Sequence, residues 1–398
     1  MRVAFLSTSS LDYPSPLGRW FPLAKELVRL GHTVHFLALH HDFRPEMRTP
    51  RREEGVWVHE VGQMHVRGWG DARRPLSGLP LLRVALAAAF ALLRRALQIE
   101  VDAYHICKPQ PMNGLAGWLA ARWKGRPCYL DCDDYEAEAN RLSGRWQRAL
   151  LRCFEDGLPR RMAGVTVNSR FLAGRVEGLG VPRERIVYVP NGVERARFAR
   201  RDSQTGRLLR QRYGLADRPV VLYLGTLSLA NHPLDLLLEA FALVVQKIPE
   251  ACLVLVGGGE DRPLLERQVE ELGLGRQVLF VGAVPPSLVP DTLALGDLSV
   301  EPVRDDAVAR ARSPLKVFES MACGLPVVTG DVGDRREILG DGQAGLLVAP
   351  GDPQALAEGI VTLLQNPLRR QEMAAAGRER VEPYMWDRLV ERFLQVYR

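Results

Sequence analysis

No stretch of the chain is long enough, apolar enough and free enough of charge to suggest a membrane span. The longest apolar run, Leu79 to Leu97, is interrupted by Arg83 and by Arg94-Arg95. That leaves a crossover helix packed in a core, or an interfacial helix resting on a membrane surface with basic residues flanking its apolar body. The start, Met1-Arg-Val-Ala-Phe-Leu-Ser, enters an apolar strand directly, with no basic leader, apolar core region or small-residue cleavage site. No export signal is expected, and the expected location is the cytoplasm, with association at the cytoplasmic face of a membrane left open. The six cysteines are scattered, mostly in apolar surroundings, and read as reduced core thiols. Internal repeats, low-complexity tracts and basic motifs interleaved with aromatics are also missing, so nucleic acid is not an expected partner.

The chain has 398 residues, 46% hydrophobic and 25% charged, enough for two buried cores rather than one. Its charge is uneven. Residues 1–200 hold 31 Lys and Arg against 20 Asp and Glu, whereas residues 201–398 hold 22 against 27. A basic first half suits an anionic neighbour such as phospholipid headgroups or a lipid-linked phosphate.

Apolar strand-like runs alternate with segments of helical period from end to end, which predicts an α/β protein with parallel sheets and crossover helices. In the first half the strands are expected at 3–7, 33–37, 56–61, 103–106, 128–131, 164–167 and 186–189. Pro190-Asn191-Gly192 closes that series, and a polar, Arg-rich stretch follows up to Gly214. A second series is expected at 220–224, 252–256, 278–281, 298–301, 326–329 and 345–348. The expected architecture is two doubly wound Rossmann-like domains facing a cleft, residues 1–192 and 193–382. A helix over about 383–398, carrying Trp386, Leu389, Val390, Phe393, Leu394 and Tyr397, is expected to cross back to the first domain.

Ligands of doubly wound sheets bind at the C-terminal ends of the strands. There the segment Ser313-Pro314-Leu315-Lys316-Val317-Phe318-Glu319 has a helix-start signature, with Ser313 as the expected N-cap and Pro314 in the first turn. Free amides at such a start favour a phosphate, and the Lys316 ammonium adds a full charge. Glu319, about one turn farther on, can accept hydrogen bonds from two adjacent ribose hydroxyls. The bland alternative is a plain capped helix whose Lys316 and Glu319 form a solvated face.

The run Phe318-Glu-Ser-Met-Ala-Cys-Gly-Leu-Pro-Val-Val, with Gly345-Leu-Leu-Val and Pro350-Gly-Asp downstream, resembles the group-1 retaining glycosyltransferases of the GT-B fold. Leu30-Gly-His-Thr-Val, Tyr188-Val-Pro-Asn-Gly-Val, Leu236-Leu-Leu-Glu-Ala-Phe and Leu255-Val-Gly-Gly-Gly-Glu extend the resemblance over nearly the whole chain. By that resemblance Glu319 holds the donor ribose, the amides of Leu315 and Lys316 hold the diphosphate, and Val281 and Gly282 lie beside the nucleobase. Gly257 and Gly258, in a strand-to-helix turn, resemble a dinucleotide-type glycine loop. Two departures stand out. Ala311 occupies the place of the family's first glutamate, and the loop Gly225-Thr226-Leu-Ser-Leu-Ala-Asn231-His232-Pro233 lacks the family's Arg and Lys. Lys316, Arg310 and Arg312 are the expected substitutes, because cations or amides must meet the charge on a departing diphosphate. His232 is a further candidate.

In the first half, the loop Asp12 to Arg19 follows the first strand, with Gly18 permitting close backbone contact and Arg19 available for an anion. Asp131-Cys-Asp133-Asp134-Tyr-Glu136 ends another strand with a density of carboxylates. Asp133 or Asp134 is expected to orient a hydroxyl of the acceptor or donor sugar, with Glu136 and Lys108 alongside. A divalent cation there is the less favoured reading, since such acids belong to a single-sheet transferase fold. The resulting expectation is transfer of a hexosyl-type group from a nucleoside diphosphate sugar to a glycan, glycolipid or small-molecule acceptor. It needs no cofactor and no essential metal. A nucleotide-sugar epimerase and a non-catalytic sugar-nucleotide-binding protein are the rival expectations.

Overall fold

The computed structural model of the chain describes residues 1–13, 16–68, 74–140, 144–198, 203–215 and 217–398. Pro14 and Ser15 of the Asp12–Arg19 loop, and part of the Arg-rich stretch before Gly214, lie outside the described residues. The chain divides into two compact units, Met1–Asn191 with Trp386–Arg398, and Gly192–Met385.

The first unit is built on β1 (Arg2–Leu6), β2 (Thr33–His40), β3 (Arg51–Glu53), β4 (Val56–Gln63), β7 (Ala103–Cys107), β8 (Cys128–Cys132), β9 (Gly164–Val167) and β10 (Ile186–Tyr188), with β5 (Val66–Arg67) and β6 (Arg74–Pro75) forming a separate small ribbon. The sheet order is β10-β9-β8-β7-β1-β2-β4-β3, and only β3 runs antiparallel. Strands this apolar are buried on both faces, as parallel strands under crossover helices must be. The order reverses between β1 and β7, which opens a crevice at their C-terminal ends.

The C-terminal helix, Trp386–Phe393, belongs to this first unit, as its apolar stripe implies. Trp386, Leu389, Val390 and Phe393 are buried with Trp20, Phe5 and Phe36, and each such side chain stabilises the fold by about 1.5–3 kcal/mol. Tyr397 ends the segment with its hydroxyl 2.9 Å from Nδ1 of His105. Burial holds that imidazole neutral, lowered to about 4.

The helices of the first unit include α1 (Phe21–Arg29), α2 (Gly78–Gln98) and α3 (Pro111–Lys124). The apolar run of the sequence is α2. It buries only Ala88, Leu92 and Ala96, and leaves Leu79, Leu82, Leu86 and Phe90 exposed, Phe90 by 67%. The core-helix expectation therefore holds for a narrow alanine-rich face alone. Among the described residues no helix is long and apolar enough to cross a membrane.

The second unit carries β11 (Val220–Leu224), β12 (Cys252–Val256), β13 (Val278–Gly282), β14 (Leu298–Glu301), β15 (Val327–Gly330) and β16 (Gly345–Val348). All are parallel, in the order β13-β12-β11-β14-β15-β16. Here the order reverses between β11 and β14.

Candidate functional site

At the reversal point of the second sheet, the Lys316 ammonium lies 3.3 Å from the Tyr223 hydroxyl and 3.4 Å from Nδ1 of His232. It also sits over the Tyr223 ring, 4.5 Å from its centre. Burial lowers the lysine to about 8, Glu301 works against that, and Arg312 and Arg335 add to it. The same burial, with Lys316 and Arg312 nearby, depresses His232 far below the usual imidazole range, so it is a neutral acceptor. Arg312 is spent on the neighbouring loop, bonding the Asn231 carbonyl and, at 2.6 Å, its side-chain oxygen. It positions Asn231 and His232. Arg310 instead forms an exposed two-pronged pair with Asp305, which precedes its helix, at 2.7 and 2.9 Å.

Lys316 stands in the first turn of the Leu315–Ala322 helix, whose N-cap is Pro314. Ser313 was expected as the cap, but it lies one residue earlier and is buried. Pro314 offers no side-chain bond to the helix start, and the Val317 N–H bonds the Pro314 carbonyl at 3.0 Å. Gly324, at φ +62°, ends the helix, with Leu325 N–H reaching back to the Ser320 carbonyl. Glu319 is one turn after Lys316 on the same face. Its carboxyl is buried and raised to about 7, by desolvation first, against the pull of Arg197 and Lys316. The Arg197 guanidinium comes within 3.8 Å while donating to the Pro286 carbonyl at 2.7 Å.

The turns after β11, β12 and β13 are laced together. Gly225 N–H bonds the Val256 carbonyl, Leu227 N–H bonds that of Gly258, and Gly257 N–H bonds that of Gly282. Thr226 accepts from the Tyr223 hydroxyl through its carbonyl at 3.0 Å. This brings Gly225, Thr226, Gly257, Gly258, Val281 and Gly282 together at one sheet end. The glycine run has a packing reason of its own, because a Cβ at Gly257 would lie 1.8 Å from the Gly225 carbonyl oxygen at a φ of +144°.

Behind Lys316 is an ion pair with no forewarning in the motif reading. Glu301, at the end of β14, accepts from Arg335 at 2.7 and 2.8 Å and from Thr329 at 2.7 Å. Both charges are buried, and the guanidinium keeps the carboxylate low despite burial. A strand-ending acid was the one available signal for Glu301. For Arg197 and Tyr223 the sequence held none.

In the first unit the reversal crevice holds Lys108, just past β7, and the acidic cluster just past β8. The Lys108 ammonium is 2.6 Å from Glu136, 3.3 Å from Asp133 and 3.5 Å from Asp134. The three carboxylates raise it well above its ordinary value, despite burial. Lys108 adopts φ +76°, a conformation unusual outside glycine. Asp133 is raised to about 7, by burial first and by its acidic neighbours, with Lys108 opposing. Gln110 bridges from Glu136 at 2.7 Å to the Thr8 hydroxyl at 2.5 Å, tying the cluster to the loop after β1.

Arg19 needs correction. It is neither solvated nor free for an anion: it is buried, with Nε and Nη2 at 2.6 and 2.7 Å from Asp131 and Nη1 at 2.9 Å from the Val189 carbonyl. Asp131 also accepts from the Trp20 indole and from Thr166. Gly18 is buried in the π-helical turn Pro16–Trp20. A further cluster went unread in the sequence. His40 and His41 place ring nitrogens 3.6 and 3.8 Å from the Asp12 carboxylate. His40 Nδ1 already accepts the Asp42 amide at 3.0 Å, so in the neutral ring the proton occupies the nitrogen facing Asp12 and no lone pair points there.

Residues 19–192 match the family described as glycosyl transferase 4-like domain, and residues 218–366 match glycosyl transferases group 1. The chain is 33% identical over 216 residues to a GDP-mannose-dependent alpha-(1-6)-phosphatidylinositol monomannoside mannosyltransferase of Mycolicibacterium smegmatis, covering 54% of this chain and 56% of that protein. That match spans less than two thirds of the relative's length. It is 31% identical to the D-inositol 3-phosphate glycosyltransferase of Thermomonospora curvata, covering 72% of this chain and 69% of the relative. In fold it is similar to sucrose-phosphate synthase from Thermosynechococcus elongatus, with a TM-score of 0.79 at 19% identity over 100% of this chain and 98% of the other. Anabaena HepE, solved with UDP and glucose, gives 0.74 at 20% identity over 100% and 98%.

Proposed function

The chain belongs to the group 1 glycosyltransferases, and from that premise we propose that it moves a glycosyl group from a nucleoside diphosphate sugar to an acceptor hydroxyl. The observation that carries the reading is the Lys316 ammonium at the reversal point of the second sheet, one helical turn before the buried Glu319 carboxylate. Lys316 and the first amides of its helix take the diphosphate, and Glu319 takes the ribose hydroxyls. Val281 and Gly282 flank the base, while Thr226 and Asn231 face the sugar. Ser313 and Pro314 shape the helix start, and Arg312 holds the Asn231 loop.

In the transfer, the bond from the anomeric carbon to the diphosphate breaks and its electron pair leaves with the diphosphate. The acceptor oxygen forms the new bond, and its proton passes to a diphosphate oxygen on the same face, in keeping with retention. The charge on the leaving group grows as the bond breaks, where a preorganised cation and amides stabilise it most. A divalent cation is then not required. Asp133 and Asp134, steadied by Lys108, which Glu136 holds at 2.6 Å, orient the acceptor.

The acceptor is read as a glycolipid presented at an anionic membrane surface. The exposed Leu79, Leu82, Leu86 and Phe90 stripe of α2 supports this, as does the phosphatidylinositol mannoside in the name of one relative. The test is a thermal-shift panel of nucleoside diphosphates and their sugars on wild type and Glu319→Ala, followed by transfer of labelled sugar to glycolipid extracts. Stabilisation of wild type by one nucleotide sugar, lost in Glu319→Ala, is the expected result. An unchanged shift in the variant sinks the donor assignment.

A further inference from the structure

The N-terminal ends of β8, β9 and β10 carry a concentration of positive charge that the transfer reaction does not use. A depression of about 450 Å³ is lined by Arg122, Arg126, Arg160, Arg161 and Arg185, with Trp118 in its wall. It reaches Cys128, which opens β8, and Met162 and Ala163, which precede β9; Arg185 directly precedes β10. β8 and β9 run parallel, as do β9 and β10, so the depression lies at the sheet edge opposite the Lys108 cluster. A five-residue strand separates the two edges by about 13 Å.

All five arginines are exposed. Arg161 gives one N–H to the Gly157 carbonyl at 2.7 Å. The other four make no side-chain hydrogen bond or ion pair among the described residues, and no Asp or Glu is among the described lining residues. Two helix ends lie beside the depression, α3 at Lys124 and the Arg145–Gly157 helix at Gly157. A helix C-terminus carries roughly half a negative charge. Two of them offset about one of the five guanidinium charges, and the Glu100 carboxylate acts on Arg126, which still leaves the concavity positive at every physiological pH. By contrast the buried or half-buried Arg19, Arg175 and Arg335 are each paired with a carboxylate.

We propose that this depression is a second anion site, one that takes a phosphate or diphosphate group in the fork of several guanidinium groups, with Trp118 against the apolar part of the ligand. Planar guanidinium forks match phosphate oxygens two at a time, and several around one phosphate give both strength and geometry. The site stands apart from the donor reading, since it uses none of the residues assigned to the transfer.

The probes are inorganic pyrophosphate and vesicles of phosphatidylglycerol or phosphatidylcholine. They are applied to the full chain as wild type, Arg126→Glu/Arg160→Glu, and Lys316→Ala. Vesicle assays use a Leu86→Ser/Phe90→Ser background, so that α2 adds nothing. Wild type is expected to bind pyrophosphate by calorimetry, weakening as salt rises. The Arg126→Glu/Arg160→Glu protein loses at least tenfold in affinity at a site that Lys316→Ala retains, while its melting temperature stays within a few degrees of wild type. Pyrophosphate binding with that pattern identifies a soluble phosphate as ligand. Capture by phosphatidylglycerol vesicles alone, lost in the arginine variant, identifies a lipid headgroup. If neither probe separates the arginine variant from wild type, or if Lys316→Ala removes all pyrophosphate binding and no vesicle capture is lost in the arginine variant, the second site does not exist.

Discussion

The Lys316 ammonium faces Nδ1 of His232 at 3.4 Å, and burial of the pair keeps the imidazole neutral while lowering the lysine to about 8. A cation held beside a neutral acceptor and an aromatic face, rather than in an ion pair, is a cation still available to a ligand. Its charge state becomes the variable on which donor binding turns.

Donor affinity is therefore expected to fall as pH rises. Below about pH 8 Lys316 is charged and meets the diphosphate. Above it, each unit should weaken nucleoside diphosphate binding by about tenfold until deprotonation is complete. Calorimetry across pH 6.5 to 9.5 measures this, and Lys316→Arg should flatten the alkaline limb. A limb that persists in Lys316→Arg assigns it elsewhere.

Glu319 gives the opposite limb. Its carboxyl is raised to about 7, and a carboxylate that accepts from ribose must be ionised, so affinity should also drop as pH falls below about 7. The same shift has a stability consequence. The folded carboxyl holds its proton more tightly than the unfolded one, so its contribution is complete below the unfolded value of 4.5 and is lost as pH rises through about 7. At pH 8, Glu319→Gln should raise the stability of the unliganded protein, on the order of 2 kcal/mol, while removing the nucleotide-induced shift. Destabilisation at pH 8 would contradict the burial argument.

Asp133 and Lys108 should be separable by kinetics. Asp133→Asn is expected to lower kcat about 100-fold, with donor affinity unchanged. Lys108→Ala removes the charge that holds Asp133 down, so the acid limb of kcat should move to higher pH. A kcat profile in Lys108→Ala that keeps its wild-type limb would detach Asp133 from the chemistry.

The Arg19–Asp131 pair should matter for folding, not for turnover. Removing either partner strands a buried charge, at about 3–5 kcal/mol. Urea unfolding of Arg19→Ala and Asp131→Ala should show losses of that size, with the double variant well short of their sum. Near-wild-type stability of either single variant would contradict the pairing.

Transfer activity should survive excess EDTA, because Lys316 and helix amides are assigned the charge that a divalent ion would otherwise meet. Loss of activity on chelation, restored by Mg or Mn, would put a metal at the diphosphate.

The strands of both sheets were readable within a residue or two at most ends, because an apolar run between turn signals is a local property. The three-residue β3 and the β5–β6 ribbon were not readable, being short and polar. The Leu315–Ala322 helix was legible, but its cap was not, since Ser-Pro allows either residue to hold that position. The glycine run at 257–259 looked like a ligand loop. Its closest neighbours are the backbone of Gly225 and Leu227, a contact between segments about thirty residues apart.

By itself the sequence determined two α/β series, an apolar C-terminal helix, and a helix start carrying Lys316 and Glu319, because periodicity and spacing act over a few residues. Which charges are free was decided only by the tertiary structure. Arg19 is consumed by Asp131, 112 residues away, and Arg335 by Glu301, 34 away. Lys316 keeps a face toward a neutral histidine. The physical reason is that the worth of a charge depends on its burial and on the partners within a few ångströms, and folding brings those together from distant parts of the chain.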